Sequence, residues 1–99
     1  MYARHVTVHG SPERIDEAVQ SVRNNVLPVL QGCTGFQGQL LLIDRAKGEA
    51  IGISLWDTEE NMNASEERVA AARQQTADQV GAGDAPEVAL YELPIFETP

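Results

Sequence analysis

Residues 36–57 constrain the fold of this chain more than any other stretch. Phe36 to Asp44 carries the run Leu40-Leu41-Leu42-Ile43, which is apolar on both faces of an extended chain. A polar link, Asp44-Arg45-Ala46-Lys47-Gly48, leads into Glu49 to Asp57. That second segment alternates, with Ile51, Ile53 and Leu55 on one face and Ala50, Gly52, Ser54 and Trp56 on the other. A period of two, broken by a short polar link, predicts a β-hairpin.

The rest of the chain supplies partners for it. Residues 2–9 (Tyr2-Ala3-Arg4-His5-Val6-Thr7-Val8-His9) read as a strand ended by Gly10. Ser11-Pro12 opens a helix whose apolar stripe is Ile15, Val19, Val22 and Val26. Pro28 is expected to kink or end that helix, and residues 32–35 carry the chain back. Thr58 caps a second helix at Glu59-Glu60, and Ser65-Glu66-Glu67 repeats the start signal, so a bend or restart is expected there. Gly81 and Gly83 stop it, and Glu87 to Ile95 alternates as a last strand broken by Pro94. The order β-α-β-β-α-β predicts an α+β, ferredoxin-like fold. It has a four-stranded antiparallel sheet with two helices on one face, in a single domain over residues 1–99.

Two helices cover one face of such a sheet, and the hairpin is apolar on both. A second apolar face left in water would exceed the few hundred Å² usual for monomers. A second copy of the chain is the simplest cover, so a homodimer with its sheets packed face to face is expected. The aliphatic set Val6, Val8, Ile51, Ile53 and Leu55 is expected at that contact. His5, Thr7, His9 and Trp56, beside the small Ala50, Gly52 and Ser54, are then expected under the helices, where unfilled volume makes a pocket.

Charge narrows the function classes. The chain has 15 acidic and 7 basic residues, a net charge of −8, all of it in residues 51–99. That balance repels a phosphate backbone or an anionic bilayer, so neither nucleic acid nor membrane is an expected partner. Half of the ten acids in that region cluster at helix starts, where they complement the helix dipole by about 0.3–1 kcal/mol each. No apolar run reaches the ~18–20 residues of a membrane span, and the N-terminus lacks a signal-peptide layout. The single Cys33 cannot form an internal disulfide and fits a reducing cytoplasm. No zinc spacing, phosphate loop or nucleophile elbow is present, and no metal or cofactor is expected.

The segments Gly35-Phe36-Gln37-Gly38 and Ile53-Ser54-Leu55-Trp56-Asp57-Thr58-Glu59-Glu60 resemble the antibiotic biosynthesis monooxygenase domain of the dimeric α+β barrel superfamily. The resemblance implies a homodimeric barrel with a pocket between sheet and helices in each subunit. It also implies oxidation of aromatic substrates by O₂ without bound metal or flavin, the substrate's own carbanion reducing oxygen. Trp56 matches a substrate-contacting Trp of that family, whereas the family's Asn and Tyr positions are Gly52 and Met62 here. A haem-degrading branch needs a His on the second helix, and no His follows His9.

Taken together, the expected function is a cofactor-independent monooxygenase-like protein acting on a small aromatic or quinol-type substrate. His5 or His9 would be the catalytic base, and Trp56, Ser54 and Tyr91 would contact substrate. His5 and His9 stand about 13 Å apart along a strand, too far to share a metal. Arg4, opposite His5, reads as a rim ion pair. The alternative is a non-catalytic barrel that binds a small ligand or simply dimerises.

Overall fold

A computed structural model describes all residues, Met1 to Pro99. The strands are β1 (Tyr2–His9), β2 (Phe36–Asp44), β3 (Glu49–Trp56) and β4 (Glu87–Glu92), in the order β2-β3-β1-β4 with every pair antiparallel. The hairpin forms as the alternation requires, and the last strand ends at Glu92, before Leu93 and Pro94. Proline has no N–H to give to a ladder, so the strand stops short of Ile95.

The first helical rod continues past its proline, with its regular spiral interrupted just before it. It runs as α1 (Ile15–Ser21), a π-helical turn at Val22–Val26, and α2 (Leu27–Gln31), ending at Gly32. In a regular α-helix the ring of Pro28 would strike the carbonyl four residues back, at Asn24, and leave it without a donor. The wider turn relieves both problems, so the chain stays helical past Pro28. The second rod restarts as the doubled signal predicts: α3 (Glu59–Ala64), then α4 (Glu66–Gln79). Thr58 Oγ1 accepts a hydrogen bond from the Asn61 N–H at 3.1 Å and caps α3.

Between α2 and β2 the chain turns at Gly35, whose φ is +84°. A Cβ there would lie 2.2 Å from Asp57 Oδ1, so only glycine fits this approach of the two loops.

Both rods pack on the same side of the sheet and divide the core in two. One cluster gathers Val26, Leu30, Cys33, Met62, Val69 and Ala72 around Trp56. The other gathers Val8, Ile15, Ala18, Ala50, Ala77 and Val80. The opposite sheet face carries no helix, leaving Leu40, Leu42 and Tyr91 at 43%, 49% and 56% exposure, while Ala3 and Leu55 on it are buried. No helix is long and apolar enough to cross a membrane.

Candidate functional site

A cavity of about 60 Å³ lies between the two core clusters, under the helices and over the middle of the sheet. Its existence follows from small residues on β3. Ala50, Gly52 and Ser54 present almost no volume toward α1 and α4, while Val6, Val8, Val22, Val26, Leu41 and Val69 wall the remainder. A Cβ on Gly52 would meet nothing nearer than Gln39 Nε2 at 3.7 Å, so the glycine is not forced by a close approach and leaves space instead. One water needs roughly 10–15 Å³, so the cavity holds several, or a ligand of a few heavy atoms.

The polar end of the cavity is built by Arg4 on β1 and Arg73 on α4. Arg4 is 2% exposed, and its guanidinium lies 5.6 Å from the centre of the Trp56 ring. Its Nη2 donates to the Met62 carbonyl and to Ser65 Oγ at 3.0 Å. Arg73 grips Glu66 with both nitrogens, Nη1 to Oε2 at 2.8 Å and Nη2 to Oε1 at 2.7 Å, and Arg4 Nε lies 3.4 Å from Glu66 Oε1. Two guanidiniums against one carboxylate leave one positive charge at the cavity wall. Three buried nitrogens, Arg4 Nε, Arg4 Nη1 and Arg73 Nε, have no hydrogen-bond partner in the protein. Burial pushes the Arg4 guanidinium below its ordinary value, with Glu66 acting the other way and Arg73 adding to the fall. The Arg73 hydrogen bonds hold the Glu66 carboxyl below the usual carboxylate range, against partial desolvation.

The expected site residues divide between the two sheet faces. Ser54 lines the cavity. Trp56 shares its face but is fully buried in the first core cluster, where its Nε1–H donates to Ser54 Oγ at 2.9 Å. His5, His9 and Tyr91 do not join them. His5 pairs with Ile53, His9 with Glu49, and Tyr91 with Ala3, so all three stand on the face turned away from the helices. There His5 meets Tyr91 edge-on at 6.3 Å, and His9 Nε2 is 3.0 Å from Glu49 Oε2. Val6 and Val8, placed by the sequence reading with Ile51 and Ile53, line the cavity instead. Alternation fixes which residues share a face within one strand, but the register between strands decides which faces coincide. Arg4 is corrected by the same register: paired with Ser54, it is a buried wall of the cavity rather than a rim residue.

Arg73, Gln39 and Thr76 also line the cavity and went unnoticed in the sequence. For Arg73 a signal existed: only two bases occur in residues 51–99, and Arg73 follows Glu66 by seven residues, two turns along one helix face. No group of three or more His, Cys, Asp or Glu side chains stands close enough to hold a metal ion.

No family model matches the chain. Two uncharacterised Mycobacterium tuberculosis proteins of strain H37Rv are similar to it. Rv2557 is 42% identical over 81 residues, covering 82% of this chain and 36% of that protein. Rv2558 is 43% identical over 77 residues, covering 78% and 33%. The chain thus spans about a third of the length of the curated relatives it matches. Among solved structures, the Streptomyces coelicolor monooxygenase ActVA-Orf6, in complex with nanaomycin D, superposes with a TM-score of 0.80 at 15% identity, covering 99% of this chain and 91% of that one. A Nitrosomonas europaea protein of unknown function, NE2512, gives 0.78 at 17% identity, covering 99% and 93%. An antibiotic biosynthesis monooxygenase gives 0.70 at 16% identity, covering 94% and 98%. The chain therefore has the fold of the antibiotic biosynthesis monooxygenase domains, the family that its residues around Trp56 resemble.

Proposed function

We propose that this chain is a monooxygenase-type domain that takes a small aromatic or quinol-type substrate into the cavity between β3 and α4 and oxidises it with O₂. The observation that carries the reading is the cavity itself, an apolar enclosure kept open by Gly52 and Ser54. In the reaction an activated CH₂ of the substrate loses two hydrogens and gains one oxygen atom, and the second oxygen leaves as water. The electrons come from the ionised substrate. Apolar walls favour such a step by excluding water, and a cation at one end stabilises the ionised form. Arg4 and Arg73 occupy that end. No imidazole lines the cavity, so a base role for His5 or His9 would have to be exercised on the outer face; in this reading the substrate gives its proton to bulk water before entry, and the guanidiniums hold the anion that remains. At about 60 Å³ the cavity is smaller than the ~150 Å³ that admits benzene, so an aromatic ring enters only as the lining gives way.

The uncovered sheet face supports a homodimer with sheets packed together, so the functional unit in this reading is a pair of chains, each with its own cavity.

Oxygen uptake with a panel of anthrones and hydroquinones tests the activity. Turnover in the wild type that falls at least tenfold in Arg73→Gln and persists in His5→Ala is the expected result. A wild type that binds panel members in the cavity but takes up no oxygen would favour the second reading, a non-catalytic ligand-binding domain. That reading draws on one observation. Where the resembling enzymes have an Asn and a Tyr, Gly52 and the buried Met62 offer no side-chain donor.

A further inference from the structure

We infer that the cavity selects a carboxylate carried on a small apolar body, with Arg4 and Arg73 as the groups that bind it. The inference rests on reading the cavity as the ligand site and adds the chemical class of the ligand.

A buried polar atom without a partner costs about 1–3 kcal/mol, more when it belongs to a charged group, and native proteins keep few of them. Here three fall on the two guanidiniums that line one cavity. Arg4 is almost wholly buried, and Arg73 has only 11% of its side chain exposed. Glu66 answers for one of their two charges, and its 45% exposed side chain sits toward solvent. The remaining charge faces a space lined mainly by valine, leucine and alanine, where the other polar groups, Gln39, Ser54 and Thr76, carry no charge. An isolated buried charge is expensive, and an anion entering the cavity would compensate it. A chain of net charge −8 keeps one of its seven bases, Arg4, buried, and a second, Arg73, mostly buried on the same carboxylate.

The charge at the space selects among anions. One uncompensated positive charge suits a monoanion, whereas phosphate at neutral pH carries more than one negative charge. A simple phenol, with a pKa near 10, is neutral at pH 7 and brings no charge. A carboxylate is ionised, planar and able to accept from N–H groups of two guanidiniums at once. Its apolar remainder then lies against Val6, Val26 and Leu41.

Acetate, propionate and benzoate, each titrated against its neutral amide, test the inference without oxygen or turnover. The single tryptophan, Trp56, sits 5.6 Å from the Arg4 guanidinium and reports occupancy by fluorescence, alongside calorimetry. At least one acid is expected to bind tenfold or more tightly than its amide and to raise the Tm. In Arg73→Gln that preference should fall below about threefold, while exposed Arg45→Gln should retain it. Should Arg73→Gln not fold, the acid-against-amide comparison in the wild type decides alone. Equal binding of acids and amides, no binding of any acid, or an undiminished preference in Arg73→Gln would overturn the inference. Oxygen uptake has no part in this outcome, so loss of the monooxygenase reading and loss of this one are separately visible.

Discussion

Gly52 shows how one residue trades stability for space. It lies in the interior of β3 with an ordinary extended φ, and nothing close would oppose a methyl group. Glycine in a strand costs roughly 0.5–1 kcal/mol relative to alanine. Gly52→Ala is therefore expected to raise stability by about that amount in urea denaturation, while weakening whatever binds in the cavity. A loss of stability would mean the backbone needs glycine there. Glu66 gives a second prediction. Its folded pKa is depressed, so the stability it contributes is present above its unfolded value near 4.3 and is lost as pH falls through the lower folded value. In Glu66→Gln this part of the acid dependence should vanish, and a denaturation series from pH 6 to pH 3 would show a shallower decline. An unchanged slope would place the acid sensitivity elsewhere. The same residues mark the limit of what the sequence discloses. Ser54 and Gly52 were legible as small residues on one face, but Arg4 and Arg73 meet across fold partners 69 residues apart, which no local pattern encodes.

At the level of the elements, turn and cap chemistry carried most of the information, because such signals act within a few residues. The hairpin, the Thr58 cap and the restart at Ser65 all form where local rules place them. Pro28, expected to kink or end the helix, does not end it: the π-helical turn before it interrupts the regular spiral, and periodicity alone does not foretell that wider turn. Not every capping signal is used as written. Ser11 makes no cap hydrogen bond to its helix, and Ser65 Oγ turns to the Met62 carbonyl and Arg4 instead. Thr58→Ala is thus expected to cost about 1 kcal/mol, and Ser11→Ala distinctly less, in parallel denaturation curves. Equal losses would show that Ser11 holds its helix by a contact other than a cap.

For the whole molecule the decisive feature is the face without helices. The register lines up its rows: Leu42, Ile51, Thr7 and Glu87, then Leu40, Ile53, His5 and Ala89, then Leu55, Ala3 and Tyr91. The acids of this face, Asp44, Glu49 and Glu87, gather at the end nearest the hairpin turn, so its centre is uncharged. Leu40, Leu42 and Tyr91 stand exposed on it beside the half-buried Ile51 and Ile53, an apolar surface that a lone soluble chain rarely leaves in water, and stacked sheets pack about 10 Å apart. The face is also self-complementary: a two-fold axis through Ile53 would set aliphatic rows against aliphatic rows and keep the acidic ends apart. The histidines expected at the site fall within or beside this surface, which is why the pairing of faces mattered more to the site than the identity of any strand. The wild type is accordingly expected to sediment at twice the 10.8 kDa chain mass at micromolar concentration. Ile53→Lys places a charge at the centre of the contact and should return the mass to that of one chain with an unchanged circular dichroism spectrum. In a monomer the same substitution would be a mild surface change. A wild type at the mass of one chain, or a dimer that tolerates lysine at position 53, would show that something other than this face holds two copies together.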